Sequence, residues 1–195
     1  MNTGRTLFVA AALAAMLSAG DALAESKSRN GMVFGFETGG AAPTGDFSDG
    51  VSFGVEAGGW SGYRIMLGDL GLIPRIDVHY LHFFDKTTGF VTSSAWSIPV
   101  LFGGKVEYHL GDFAPFVKFG VGFAYTNFGG DDEDSANGVG FAFAVGSGVD
   151  YWVADSVALG LFCEFGQSGT LNSPFDSLST GINSFNFGLG LTVAP

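Results

Sequence analysis

The segment Ser184–Pro195, SFNFGLGLTVAP, alternates without a break. Phe185, Phe187, Leu189, Leu191 and Val193 fall on one parity, and Ser184, Asn186, Gly188, Gly190, Thr192 and Ala194 on the other. Successive side chains of a strand point to opposite faces, so this segment has one large apolar face and one small, mostly polar face. Alternating runs also lie near Met32–Thr38, Val51–Tyr63, Leu70–Phe84, Trp96–Tyr108, Phe113–Tyr125, Val139–Tyr151 and Val157–Gln167. A period of two sustained through the chain predicts an all-β fold of eight strands. Most of the runs are long enough for a tilted strand to cross a bilayer.

The connections alternate between tight and long. Tyr63 precedes Leu67-Gly68-Asp69, Tyr108 precedes Leu110-Gly111-Asp112, and Tyr151 precedes Val153-Ala154-Asp155, a hairpin-length rhythm. Gly and Asp tolerate the backbone conformations of tight turns. The long connections, near Gly39–Gly50, Asp85–Ser94, Asn127–Asn137 and Ser168–Asn183, are rich in Gly, Ser, Thr, Asn and Asp. An even strand number with both termini at the tight-turn end predicts an antiparallel up-and-down barrel. Tyr63, Tyr108 and Tyr151 then fit an aromatic girdle at the inner membrane interface.

Which face points inward follows from charge. Arg64, Arg75, Lys105 and Lys118 all lie opposite the large apolar face. A soluble barrel of lipocalin type would put large apolar residues inside and charges outside, whereas a transmembrane β-barrel reverses both. Composition agrees: 47% of residues are hydrophobic, 15% aromatic and only 14% charged, with 32 glycines. Lipid as outer solvent removes the need for a charged surface. The amino terminus supports export. Arg5, the apolar run Leu7–Leu17 and Ala22-Leu23-Ala24 read as a signal peptide over residues 1–24 cleaved after Ala24. Residues 25–30 form a short periplasmic lead-in, and residues 31–195 form the barrel domain. The location expected is the outer membrane of a Gram-negative bacterium. Cys163 is the single cysteine, so no internal disulfide forms, and its parity with Leu161 and Phe165 makes it a wall residue.

Eight strands leave an interior only wide enough for side chains. One wall supplies the large and charged groups, and the opposite wall is nearly bare, with Gly120, Gly122, Ala124, Ala142, Ala144, Gly160, Gly188 and Gly190. A lumen plugged by side chains and internal ion pairs is expected, with Arg64, Arg75, Asp77, Lys105, Glu107, Lys118 and Asp150 as its network. Depth along the strands sets Arg64, Lys105, Lys118, Glu107 and Asp150 toward the periplasmic end. Glu37, Glu56 and Glu164 lie toward the outer end, where they are expected to form a wet acidic vestibule.

Enzymes of small outer-membrane barrels need a base, a nucleophile and an orienting group near the rim. The three histidines are His79 in the lumen, His82 at the outer interface and His109 beside a tight turn, and the Ser93–Ser94 pair is generic to a Ser-rich loop. No catalytic residues are expected. The run Asp131-Asp132-Glu133-Asp134 lacks the alternating ligands, central Gly and terminal Glu of a calcium loop, so no metal site and no cofactor are expected either. With a net charge of −11 and no basic cluster, nucleic acid is excluded as a partner.

The chain resembles the eight-stranded outer-membrane β-barrel families of the OmpA transmembrane domain, OmpX and the opacity proteins. The residues that carry the likeness are Ala42-Pro43-Thr44-Gly45-Asp46-Phe47, the hairpin rhythm, Tyr63 and the alternating last strand. The resemblance implies a monomer that contacts outer-membrane lipids and lipopolysaccharide and is inserted by the barrel-assembly machinery. It also implies a C-terminal aromatic assembly signal, where this chain has Pro195, and unlike full-length OmpA-like proteins no periplasmic domain is expected. The function expected is a structural or surface-interaction role. The alternatives are a narrow pore or small-hydrophobe conduit and, further off, a rim enzyme acting on lipid A.

Overall fold

The computed structural model describes residues 30–45, 48, 51–85, 93–130, 136–169 and 181–195. The expected signal peptide with its cleavage at Ala24, most of the lead-in and the acidic run at 131–134 lie outside the described residues. The strands are β1 (Gly31–Pro43), β2 (Val51–Leu67), β3 (Leu70–Asp85), β4 (Ser93–Tyr108), β5 (Phe113–Gly130), β6 (Ala136–Ala154), β7 (Val157–Ser168) and β8 (Ile182–Val193). Each pairs antiparallel with its chain neighbours, and β1 pairs with β8 to close the barrel. Closure removes the two unpaired edges that an open sheet would present, which a bilayer cannot hydrate.

The strands begin and end about where the alternation places them, but several reach further at the long-loop end. β1 continues through Pro43, where Gly39–Gly50 was expected to be loop, and β5 continues to Gly130. Gly40 and Ala41 pair with Val55 and Gly54 on one side and with Phe187 and Asn186 on the other. A run of small residues carries little side-chain pattern, yet its backbone is held on both sides.

Two tight turns use glycine in the left-handed region, Gly68 with φ 67° and Gly111 with φ 66°. The third turn, at Ala154–Val157, has no glycine and instead follows a register shift between Trp152 and Ala154. Ala154 would pay a steric penalty at positive φ, so a bulge makes the reversal.

The barrel is inside out relative to a soluble one. Phe34, Phe36, Phe102, Phe119, Phe123, Leu161 and Leu189 are exposed around the outer wall, Leu189 by 61%. Arg64, Arg75, Lys105, Lys118, Glu37, Glu56, Asp77, Glu107 and Asp150 are buried in the lumen, Arg64 completely. Tyr63, Tyr108 and Tyr151 are exposed on the outer wall toward the tight-turn end.

The lumen is layered. Val33, Trp60, Ile73, Ala114, Trp152, Ala158 and Ala194 form an apolar cluster toward the tight turns. Ala41, Val51, Leu81, Phe83, Ala95 and Ile182 form another toward the long loops. Arg64, Lys105, Glu107 and Asp150 are interleaved with the first cluster, and Glu37, Asp77, His79 and Glu56 lie between it and the second. One close approach holds the lower layer: a Cβ on Gly35 would fall on the Trp60 indole directly opposite it. Gly35→Val is therefore expected to displace Trp60 and cost about 1–3 kcal/mol, as overpacking does. Near-UV circular dichroism and a urea titration check this; an unchanged tryptophan signal and midpoint would contradict it.

Candidate functional site

The polar lumen is built by parity. Every second residue of a strand faces inward, so Arg75, Asp77 and His79 stack along β3, Lys105 and Glu107 along β4, and Phe116 and Lys118 along β5. In the lower part, Arg64 Nε lies 2.9 Å from Glu107 Oε1, and Lys105 Nζ lies 2.5 Å from Asp150 Oδ2 and 3.1 Å from Glu107 Oε2. His109 Nε2 is 3.0 Å from Glu107 Oε1. In the upper part, Arg75 binds Asp77 side-on through Nε and Nη2 and places Nη2 3.3 Å from Glu37 Oε1. Lys118 Nζ lies 2.6 Å from Glu37 Oε2 and 3.0 Å from Glu164 Oε2.

These contacts correct the sequence-level grouping of the charges. Lys118 was assigned to the periplasmic set, and Glu37 and Glu164 to a cation-poor vestibule, but Lys118 bridges those two carboxylates. The reason lies in register. Lys105 and Lys118 are direct cross-strand partners. Two ammonium groups on one face of a sheet repel. Glu107 and Asp150 already hold Lys105, so Lys118 turns the other way, to Glu37 and Glu164. Of the three carboxylates expected to form a wet acidic vestibule, Glu56 and Glu164 line one cavity. Above Glu56 and His79 the inward parity carries Leu81, Phe83 and Ile182, an apolar layer.

Four lumenal aromatic residues escaped the sequence reading. Arg75 stands over the Trp60 ring at 4.2 Å, Arg64 over Trp152 at 4.6 Å, Lys105 over Phe116 at 4.2 Å and Lys118 over Phe162 at 4.4 Å. Each cation thus has an aromatic face as well as a carboxylate, an arrangement that holds charge in a dry interior. The wall expected to be bare is therefore filled by Phe116, Trp152 and Phe162. Parity held the signal: Phe116 shares it with Lys118, Trp152 with Asp150, and Phe162 with Glu164.

His79 occupies the centre of the upper layer. Its Nε2 is 3.7 Å from Asp77 Oδ1 and 4.0 Å from Glu37 Oε2, and its Nδ1 is 3.8 Å from Glu56 Oε1. Gly58 makes room for it, since a Cβ there would lie 2.6 Å from His79 Cγ. A small cavity of about 30 Å³, room for one or two waters, opens beside it, lined among others by Glu56, Leu101, Glu164, Ser184 and Asn186. No metal site was expected from sequence motifs, yet Glu37, Glu56 and His79 each offer one ligand atom within 4.8 Å of the others. The other histidines lie elsewhere: His82 stacks on Tyr80 and meets Phe84 edge-on, and His109 stacks on Trp152. Cys163 is exposed on the outer wall.

Residues 9–192 match the family model described as the outer membrane protein beta-barrel domain. Among solved structures, Neisserial surface protein A superimposes with a TM-score of 0.56 at 17% identity, over 84% of this chain and 97% of that one. The outer membrane protein OprG from Pseudomonas aeruginosa superimposes with a TM-score of 0.51 at 15% identity, over 88% of this chain and 100% of that one. At such identities the likeness is one of fold. Among curated proteins no relative matches significantly.

Proposed function

Since the chain belongs to the outer membrane protein beta-barrel domain family and is thus a small outer-membrane barrel of a Gram-negative bacterium, we propose that it serves as a sealed scaffold with a structural or surface-interaction role. The observation that carries this reading is the cross-section of the lumen. Arg75, Glu37, Lys118 and Glu164 link four strands, β3, β1, β5 and β7, through direct ion pairs. Aromatic rings back these cations, an apolar cluster lies above them, and below them a second cluster is interleaved with the ion pairs of Arg64 and Lys105. Ion flow would require several of these contacts to open together. Lipids and lipopolysaccharide are the partners of the outer wall in this reading.

Purified protein in planar bilayers is expected to give no persistent single-channel openings. Steady openings at moderate voltage would contradict the sealed scaffold and favour the second reading, a narrow pore or small-hydrophobe conduit. The observation on that side is the cavity between the ion pairs and the upper apolar layer, which at about 30 Å³ holds a water or two. A rim enzyme acting on lipid A has less support. His79 faces carboxylates, His82 aromatic rings and His109 a carboxylate and Trp152. Overexpression is expected to leave the lipid A mass spectrum unchanged.

A further inference from the structure

Three buried oxygens face one cavity with no donor. Glu56 Oε1, Glu56 Oε2 and Asn186 Oδ1 have no hydrogen-bond partner. Both residues are only 2% exposed, and both line the cavity beside His79 and Glu164. An ionised carboxylate only accepts hydrogen bonds. Its nearest positively charged candidate is His79, whose Nδ1 at 3.8 Å lies beyond hydrogen-bond reach. Burying a carboxylate with neither donor nor counter-charge is strongly unfavourable.

Charge counting sharpens the deficit. Around His79 stand four carboxylates, Glu37, Glu56, Asp77 and Glu164, and two permanent cations, Arg75 and Lys118. Carboxylates outnumber permanent cations by two, a surplus that protons on His79 and Glu56 or one divalent cation can cancel. The lower layer has no such excess, since Arg64 and Lys105 face Glu107 and Asp150.

We propose that Glu56, His79 and Glu37 form a lumenal site for one divalent transition-metal cation, flanked by the Asn186 amide oxygen. A divalent ion cancels the local excess. An imidazole among carboxylates selects zinc, manganese or a neighbouring first-row ion over calcium or magnesium, which prefer oxygen alone. The ligand atoms lie within 4.8 Å of one another. Zinc bonds of about 2.1 Å place tetrahedral ligands roughly 3.4 Å apart, so the site closes on binding. Glu56 is the side chain that moves, because hydrogen bonds tie neither of its oxygens, and the cavity gives it and a bound water room. Glu37 is held in place, with Oε1 toward Arg75 and Oε2 toward Lys118, and each oxygen keeps a further lone pair for the metal. Such outer partners orient metal-bound carboxylates.

The test uses untagged protein refolded in detergent, stripped with chelator and checked by heat-modifiability on a gel. Isothermal titration with zinc chloride is expected to give one saturable equivalent that excess magnesium does not displace. Glu56→Gln and His79→Gln are each expected to weaken binding at least about 10-fold. Replacing the Asp131–Asp134 run by asparagines is expected to leave it intact. Absence of saturable binding by zinc or manganese, meaning a cavity filled by water alone, would overturn the proposal. So would unchanged affinity in Glu56→Gln, or binding lost only with the loop replacement. If the variants fail to fold, X-ray absorption of the cobalt-loaded native chain decides. Imidazole scattering supports the site, and an all-oxygen shell overturns it.

Discussion

Lys118→Met is expected to lower the unfolding free energy by about 3–5 kcal/mol, the cost of stripping one partner from a buried charge network. Lys118 ties Glu37 on β1 to Glu164 on β7, at 2.6 Å and 3.0 Å. Removing it leaves Glu164 without its ion-pair partner and Glu37 with Arg75 alone. Methionine retains the length and the contact with Phe162, so the loss reports charge, not volume. A urea titration in detergent, followed by tryptophan fluorescence, measures it. Adding Glu164→Gln to the same chain is expected to restore part of the loss, because the orphaned charge is then gone. A single-variant loss below about 1 kcal/mol would mean that water reaches these carboxylates and that the lumen is wetter than a sealed barrel allows.

Val121→Arg tests the other face. Val121 lies midway along β5, is 52% exposed and pairs with Phe102 and Phe143 on the outer wall. An arginine at the bilayer midplane costs about 2–4 kcal/mol, falling toward zero near the interfaces. The expected result is a loss of that size in phospholipid vesicles, with Val121→Ala as the size control. A soluble barrel, with water around Val121, would tolerate the arginine with little change. The paired results would separate two reasons for stability in one strand, since Lys118 and Val121 differ by an odd number of residues and so face opposite solvents.

Much of this was legible in the chain because period-two alternation is a local property. Phe185, Phe187 and Leu189 on one parity and Gly188 and Gly190 on the other demand a strand with unlike faces wherever it sits. The opposite parity of Arg64, Arg75, Lys105 and Lys118 then says which face avoids lipid. The candidate site was less legible. Depth along each strand suggested two charge groups, and depth is a one-dimensional measure. Lys118 shows its limit: the residue sits level with Lys105, yet reaches the other group. Glu56 and His79 lie on neighbouring strands, and His79 pairs with Gly58, not with Glu56. Nothing local marks them as neighbours of Asn186, which comes close only when β8 closes onto β1.

What the sequence determined by itself is the wall: strand number, the alternation of turns and loops, and the side that meets lipid. Each follows from the short-range order of side chains along an extended backbone. What only the tertiary structure decided is the partnering inside the lumen. Closure of β1 onto β8 sets the stagger of all eight strands. That stagger decides which cation meets which carboxylate and leaves Glu56 facing a cavity with no hydrogen-bond partner. Ion pairing falls off within a few ångströms, and only the closed barrel brings groups from distant strands that close.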